Sequence, residues 1–109
     1  MTDSLNLSMT GVYFDGRSSR NREAVLHVLG DQVRLQVQPD GPMSALEQSW
    51  QVSDLTIEPP LGRIRRIVKL PGGGRFETPD DAAVSLLEAR TDRNRGLGRV
   101  RQIESRWSL

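Results

Sequence analysis

Two β-prone runs, Glu23–Leu29 and Gln32–Gln38, flank a Gly30-Asp31 dipeptide, and they constrain this chain more than any other feature. A two-residue connection makes the tightest antiparallel hairpin and fixes its register. Leu29 then lies opposite Gln32, Val28 opposite Val33, Leu26 opposite Leu35 and Ala24 opposite Val37. One face is wholly apolar: Ala24, Leu26, Val28, Val33, Leu35 and Val37. The other pairs Val25, His27 and Leu29 with Gln36, Arg34 and Gln32. A slip of one residue would invert every side chain, and both strands independently select the same pairing.

Strand and turn signals continue on either side. Residues 1–10 are small and polar and are expected to fray. Gly11–Phe14 is the first strand candidate, stopped by Asp15-Gly16. After the Pro39–Pro42 break, apolar residues alternate through Trp50 and Val52, then through Leu55 and Ile57. The change of parity predicts a bend or bulge at Ser53-Asp54. Arg63–Leu70 reads as a strand with Ile64, Val68 and Leu70 on one parity. Pro71-Gly72-Gly73-Gly74 then turns the chain into Arg75-Phe76-Glu77 with the register left open. Thr78-Pro79-Asp80-Asp81 starts a helix, with Thr78 as cap, Pro79 at the first helical position and two acids at the positive end of the dipole. That helix runs to about Arg90, with Ala83, Leu86, Leu87 and Ala89 or Ala82 as its apolar face. Val100, Ile103 and Trp107 sketch a weak second one.

The expected fold is therefore mainly β or α+β: an antiparallel bent sheet or partial barrel capped by one C-terminal helix. It is similar in outline to pleckstrin-homology and GRAM domains. At 109 residues the chain fits one domain. The expected division is a flexible stretch at 1–10, the β-rich domain with its closing helix at 11–90, and a basic tail at 91–109.

Charge marks the last boundary. The chain carries +1 overall, but residues 1–89 hold nine Lys/Arg against twelve Asp/Glu, and residues 90–109 hold six Arg against two acids. Arg63, Arg65, Arg66 and Lys69, with Arg95, Arg99, Arg101 and Arg106 of the tail, form the candidate contact surface for an anionic partner. With few aromatic platforms between them, nucleic acid is disfavoured.

Reactive constellations are harder to find. There is no cysteine and a single histidine, His27, whereas a zinc site needs three or four ligands. His27 is expected to be a half-exposed sheet residue opposite Arg34. Gly72–Gly74 lacks the following Lys-Ser/Thr of a phosphate loop and reads as a hairpin turn. Asp80 and Asp81 are adjacent on a helix, so they do not face each other. Trp50 is expected in the core. No catalytic residue, metal or cofactor is assigned, and the chain is not expected to be an enzyme in its own right.

Taken in order, Gly-Val-Tyr-Phe-Asp-Gly-Arg-Ser-Ser at 11–19, the Gly30-Asp31 hairpin, Ser-Trp-Gln-Val-Ser-Asp-Leu at 49–55 and Leu-Pro-Gly-Gly-Gly-Arg-Phe-Glu at 70–77 carry a resemblance. Over residues 10–109 the chain resembles the soluble N-terminal domain that precedes the membrane-embedded zinc peptidase region of bacterial HtpX-like metallopeptidases. The zinc site of that family is a downstream His-Glu-x-x-His helix, so no catalytic residue carries over to this sequence. The resemblance implies a non-catalytic accessory domain that positions or regulates the peptidase, with the downstream peptidase domain and protein substrates as partners. It also implies a cytoplasmic place at the inner face of the membrane. Trp107 and the Arg-rich tail would then lie beside the first span, where positive charge and interfacial aromatics collect. The alternative is a binding module for lipid headgroups or nucleic acid.

Overall fold

The computed structural model describes residues 5–60, 62 and 65–92. Its centre is the hairpin. Strands β2 (Asn21–Leu29) and β3 (Gln32–Val37) pair with Leu29 opposite Gln32, Val28 opposite Val33, Leu26 opposite Leu35 and Ala24 opposite Val37. All six residues of the apolar face are buried. Gly30 turns the chain at φ 63°, a left-handed conformation that glycine adopts without steric cost.

Around this hairpin stand β1 (Asn6–Phe14), β4 (Leu46–Gln51), β5 (Thr56–Ile57), β6 (Arg66–Lys69) and β7 (Arg75–Thr78). Every pairing is antiparallel, and the order across the sheet is β4-β3-β2-β1-β7-β6-β5. The result is a seven-strand half-barrel. β1 joins its two halves, pairing with β2 along all nine residues and with β7 through Val12–Phe14. This strand begins at Asn6, five residues before the expected start at Gly11, and Met9 is a core residue rather than part of a frayed end. The physical reason is alternation: Leu7, Met9, Gly11 and Tyr13 share the inward face, opposite Val28, Leu26, Ala24 and Arg22 of β2.

The parity change after Trp50 proves to be a 3-10 turn, Val52–Asp54. Gln51 and Asp54 close it by a reciprocal capping box, and Val52 and Leu55 both drop into the core. Trp50 itself is half-buried against that core. Between β6 and β7 the Pro71–Gly73 turn sets Lys69 opposite Arg75, with Gly72 at φ 89° and Gly73 at φ 98°.

Helix α1, residues 81–92, closes the concave side. Its cap is Asp80, not Thr78: the Asp80 carboxylate accepts from the Ala83 amide at 3.1 Å. Thr78 is fully buried instead. Its hydroxyl donates to the Thr10 carbonyl at 2.6 Å and accepts from the Asp80 amide at 3.1 Å, which pins the helix start to β1. The inward face is Ala83, Val84 and Leu87, continued by Arg90 and Thr91. Leu86, expected in the core, is 53% exposed, and Ala82 and Ala89 also face outward. Arg90 reaches Asp31 at 3.0 Å, so α1 runs from β1 to the β2–β3 turn. Thr91 and Asp92 belong to it, so the expected tail begins later than residue 91.

Candidate functional site

Of the basic surface expected from Arg63, Arg65, Arg66 and Lys69, the structure withdraws Arg66. Arg66 shares the inward parity of Val68 and is only 3% exposed. Its guanidinium donates to Asp81 at 2.6 Å and Glu88 at 3.1 Å. Burial works against its charged form, but those two carboxylates outweigh it and hold Arg66 more firmly protonated than usual. It clamps α1 to β6 and is not available to a partner. Lys69 pairs with Glu58 at 3.2 Å, and Arg65 is exposed. Arg63, Arg95, Arg99, Arg101, Arg106 and the Val100–Ile103–Trp107 pattern lie outside the described residues.

His27 lies opposite Arg34 on the convex face, half-exposed as expected. Its Nδ1 is 2.8 Å from Ser8 Oγ and its Nε2 is 2.9 Å from Gln36 Oε1. With the amide oxygen accepting, Nε2 carries the proton and the Ser8 hydroxyl donates to Nδ1. Serine, imidazole and amide thus form a polar ladder across β1, β2 and β3. The surrounding strand amides are committed to sheet hydrogen bonds, so the ladder has no converging N–H pair for a developing oxyanion. Its effect is to hold register.

Two other features have functional geometry. The first is the β4 edge. The Val52 amide donates to the Asp31 carbonyl at 2.7 Å. Alternation in an antiparallel ladder then turns the amides of Leu46, Gln48 and Trp50 toward β3, and those of Glu47, Ser49 and Gln51 away. Asp54 accepts from the Gln51 amide at 3.1 Å. The Glu47 and Ser49 amides face outward from the last strand of the sheet.

The second feature is a concavity of about 400 Å³ at the end of the half-barrel where Tyr13 and Arg22 continue the core face. Tyr13, Arg17, Arg20, Arg22, Gln48 and Gly74 line it. Asp15 orders the β1–β2 loop by accepting from the Arg17 amide at 2.8 Å and the Ser18 amide at 3.2 Å. These bonds, that from Arg17 foremost, hold its carboxyl below the ordinary range. Arg22 is 8% exposed, and its Nη2 donates to the carbonyls of Gln38 and Ser44. Arg17 and Arg20 belong to the polar stretch that follows the Asp15-Gly16 turn and carry no motif of their own. The one available signal was a run of three Arg within six residues after a strong turn.

Among the described residues no group of three or more His, Asp or Glu is placed to hold a metal ion, and no helix is long and apolar enough to cross a membrane. Residues 8–91 match the family described as Domain of unknown function (DUF7092), and the chain belongs to that family. No curated protein and no solved structure matches it.

Proposed function

We propose that this member of the family is a non-catalytic accessory domain of a bacterial membrane zinc metallopeptidase of the HtpX type. It positions or regulates the peptidase through protein contacts at the cytoplasmic face of the membrane. The resemblance in the turns at 11–19, 49–55 and 70–77 supports the attachment. The observation that carries the contact role is the β4 edge, whose outward Glu47 and Ser49 amides offer a template for an added strand.

The gene read beyond Leu109 tests the attachment: an apolar span followed by His-Glu-x-x-His is expected, and a stop codon there removes it. The contact role is tested by Ser49→Pro in the full-length protein. Proline deletes an outward donor without touching a β3–β4 hydrogen bond. Cleavage of a protein substrate is expected to fall while cleavage of a short reporter peptide holds. Unchanged cleavage of both would count against the edge.

A further inference from the structure

The described cations divide sharply by partner. Arg34, Arg66, Lys69, Arg75 and Arg90 each form an ion pair with a carboxylate. Arg17, Arg20, Arg22 and Arg65 form none among the described residues; the first three of these together line the concavity at the end of the half-barrel, whereas Arg65 borders a different one. Apart from the exposed Arg65, the described cations elsewhere are paired, and three unpaired guanidinium groups stand together at one opening.

Arg22 makes the contrast sharper. Arg66 is buried as well, more deeply than Arg22, and has two carboxylates. Arg22 has two neutral carbonyls instead; the Nε of each of the two arginines is buried without an acceptor, so the difference between them lies in the missing counter-charge. A guanidinium desolvated against dipoles alone is an uncompensated charge, and an anion in the adjoining space lowers its energy. Asp15 is the one acid in the lining, and its carboxylate is occupied by the loop amides.

We infer that this mouth binds a phosphate monoester, its dianionic head held by the forks of Arg17 and Arg20 above the Arg22 charge, with the Tyr13 hydroxyl as a further donor. Three guanidinium groups against one carboxylate leave a net charge of +2 that a dianion balances. Planar guanidinium forks match tetrahedral phosphate oxygens two at a time. Leu46, Met43 and the Tyr13 ring give the organic part of the ester an apolar wall, in a space of the size that small-ligand sites take. Burial first, and then Asp15, raise the Tyr13 pKa above 10.0 against the opposing pull of Arg17 and Arg22. The phenol therefore keeps its proton at neutral pH and can donate. The inference is independent of the proposed attachment to a peptidase.

The test uses the 109-residue chain at low ionic strength. Glycerol 3-phosphate and inorganic phosphate are titrated in by NMR, with Arg17→Gln, Arg20→Gln and Arg65→Gln as variants. Arg17 and Arg20 are exposed loop residues, so their replacement should leave the fold intact. Amide shifts are expected in residues 15–22 and 71–74, with affinity falling at least about tenfold in Arg17→Gln and Arg20→Gln and holding in Arg65→Gln. The chain has one tyrosine, so its phenolate absorbance reads Tyr13 alone, and bound phosphate should move that titration still higher. Vesicles of phosphatidylcholine with phosphatidic acid, or with phosphatidylserine at equal charge, identify the source. Retention by phosphatidic acid over phosphatidylserine assigns the ester to a lipid headgroup. Binding of glycerol 3-phosphate without vesicle retention assigns it to a free metabolite. Absent or scattered shifts, equal weakening by Arg65→Gln, or equal retention on both vesicles without soluble binding would overturn the inference.

Discussion

At Gly11 a Cβ atom would lie 2.1 Å from the Glu77 carbonyl oxygen and 2.9 Å from the Phe76 ring. The first obstacle is backbone and the second is a fully buried ring, so neither can step aside cheaply. Gly11→Ala is expected to destabilise the domain by about 2–3 kcal/mol, in the range of overpacked cores, as read by denaturant unfolding. Nothing in the sequence reveals this, because the close approach of β7 depends on residues more than sixty positions away. Arg66 is the opposite case. Its inward direction was legible, since the parity that buries Val68 and Leu70 also includes residue 66. Residue type outweighed pattern, because arginine is rarely buried unless paired. Its partners, 15 and 22 residues on, become neighbours only when α1 folds back over the sheet.

Elements were read more surely than their edges. The β2–β3 register and a break in the strand at Ser53-Asp54 follow from alternation alone; the structure has both, the break taking the form of a 3-10 turn. The helix was found, and Ala83 and Leu87 face inward as expected, but Leu86 was expected where Val84 is the buried residue. Which side of a short helix turns inward is set by what it meets. Here Arg66 takes Asp81 and Glu88, two positions seven apart on the same face, and thereby fixes the rotation of α1. The two sides of this clamp differ in consequence. Asp81 is largely exposed and Glu88 partly so, and both can rehydrate if the guanidinium is removed. Without them, Arg66 would remain a buried charge with no counter-ion. Asp81→Asn with Glu88→Gln is therefore expected to cost about 3 kcal/mol, and Arg66→Met only about 1–2 kcal/mol, in thermal or denaturant melts. Equal losses would refute that asymmetry.

Across the whole molecule, the partial barrel with its closing helix was legible from the order of elements, whereas the basic mouth was not. Its lining comes from β1, the β1–β2 loop, β2, β4 and the residues around the Pro71–Gly73 turn, and no linear spacing encodes that meeting. The layout also sets a gradient of local stability. Hydrogen exchange should be slowest in β1, β2 and β3, with Met9, Leu26 and Val28 near the global limit. It should be fastest at the outward Glu47 and Ser49 amides and in the two-residue β5, by several orders of magnitude. Comparable protection across all seven strands would contradict the half-barrel order.

The double pairing of β1 bears on how the domain is made. As the chain leaves the ribosome, β1 to β4 emerge as a local meander that can pair at once. The other side of β1 must wait for β7, with Val12 meeting Glu77 across 65 residues of later synthesis. For that interval the middle of the finished sheet is an exposed flank, open to another nascent chain or to a chaperone. Closing so long a loop is also entropically the slowest kind of contact to form. The seam between β1 and β7 would then be the last part of the sheet to close and the place where misassembly begins.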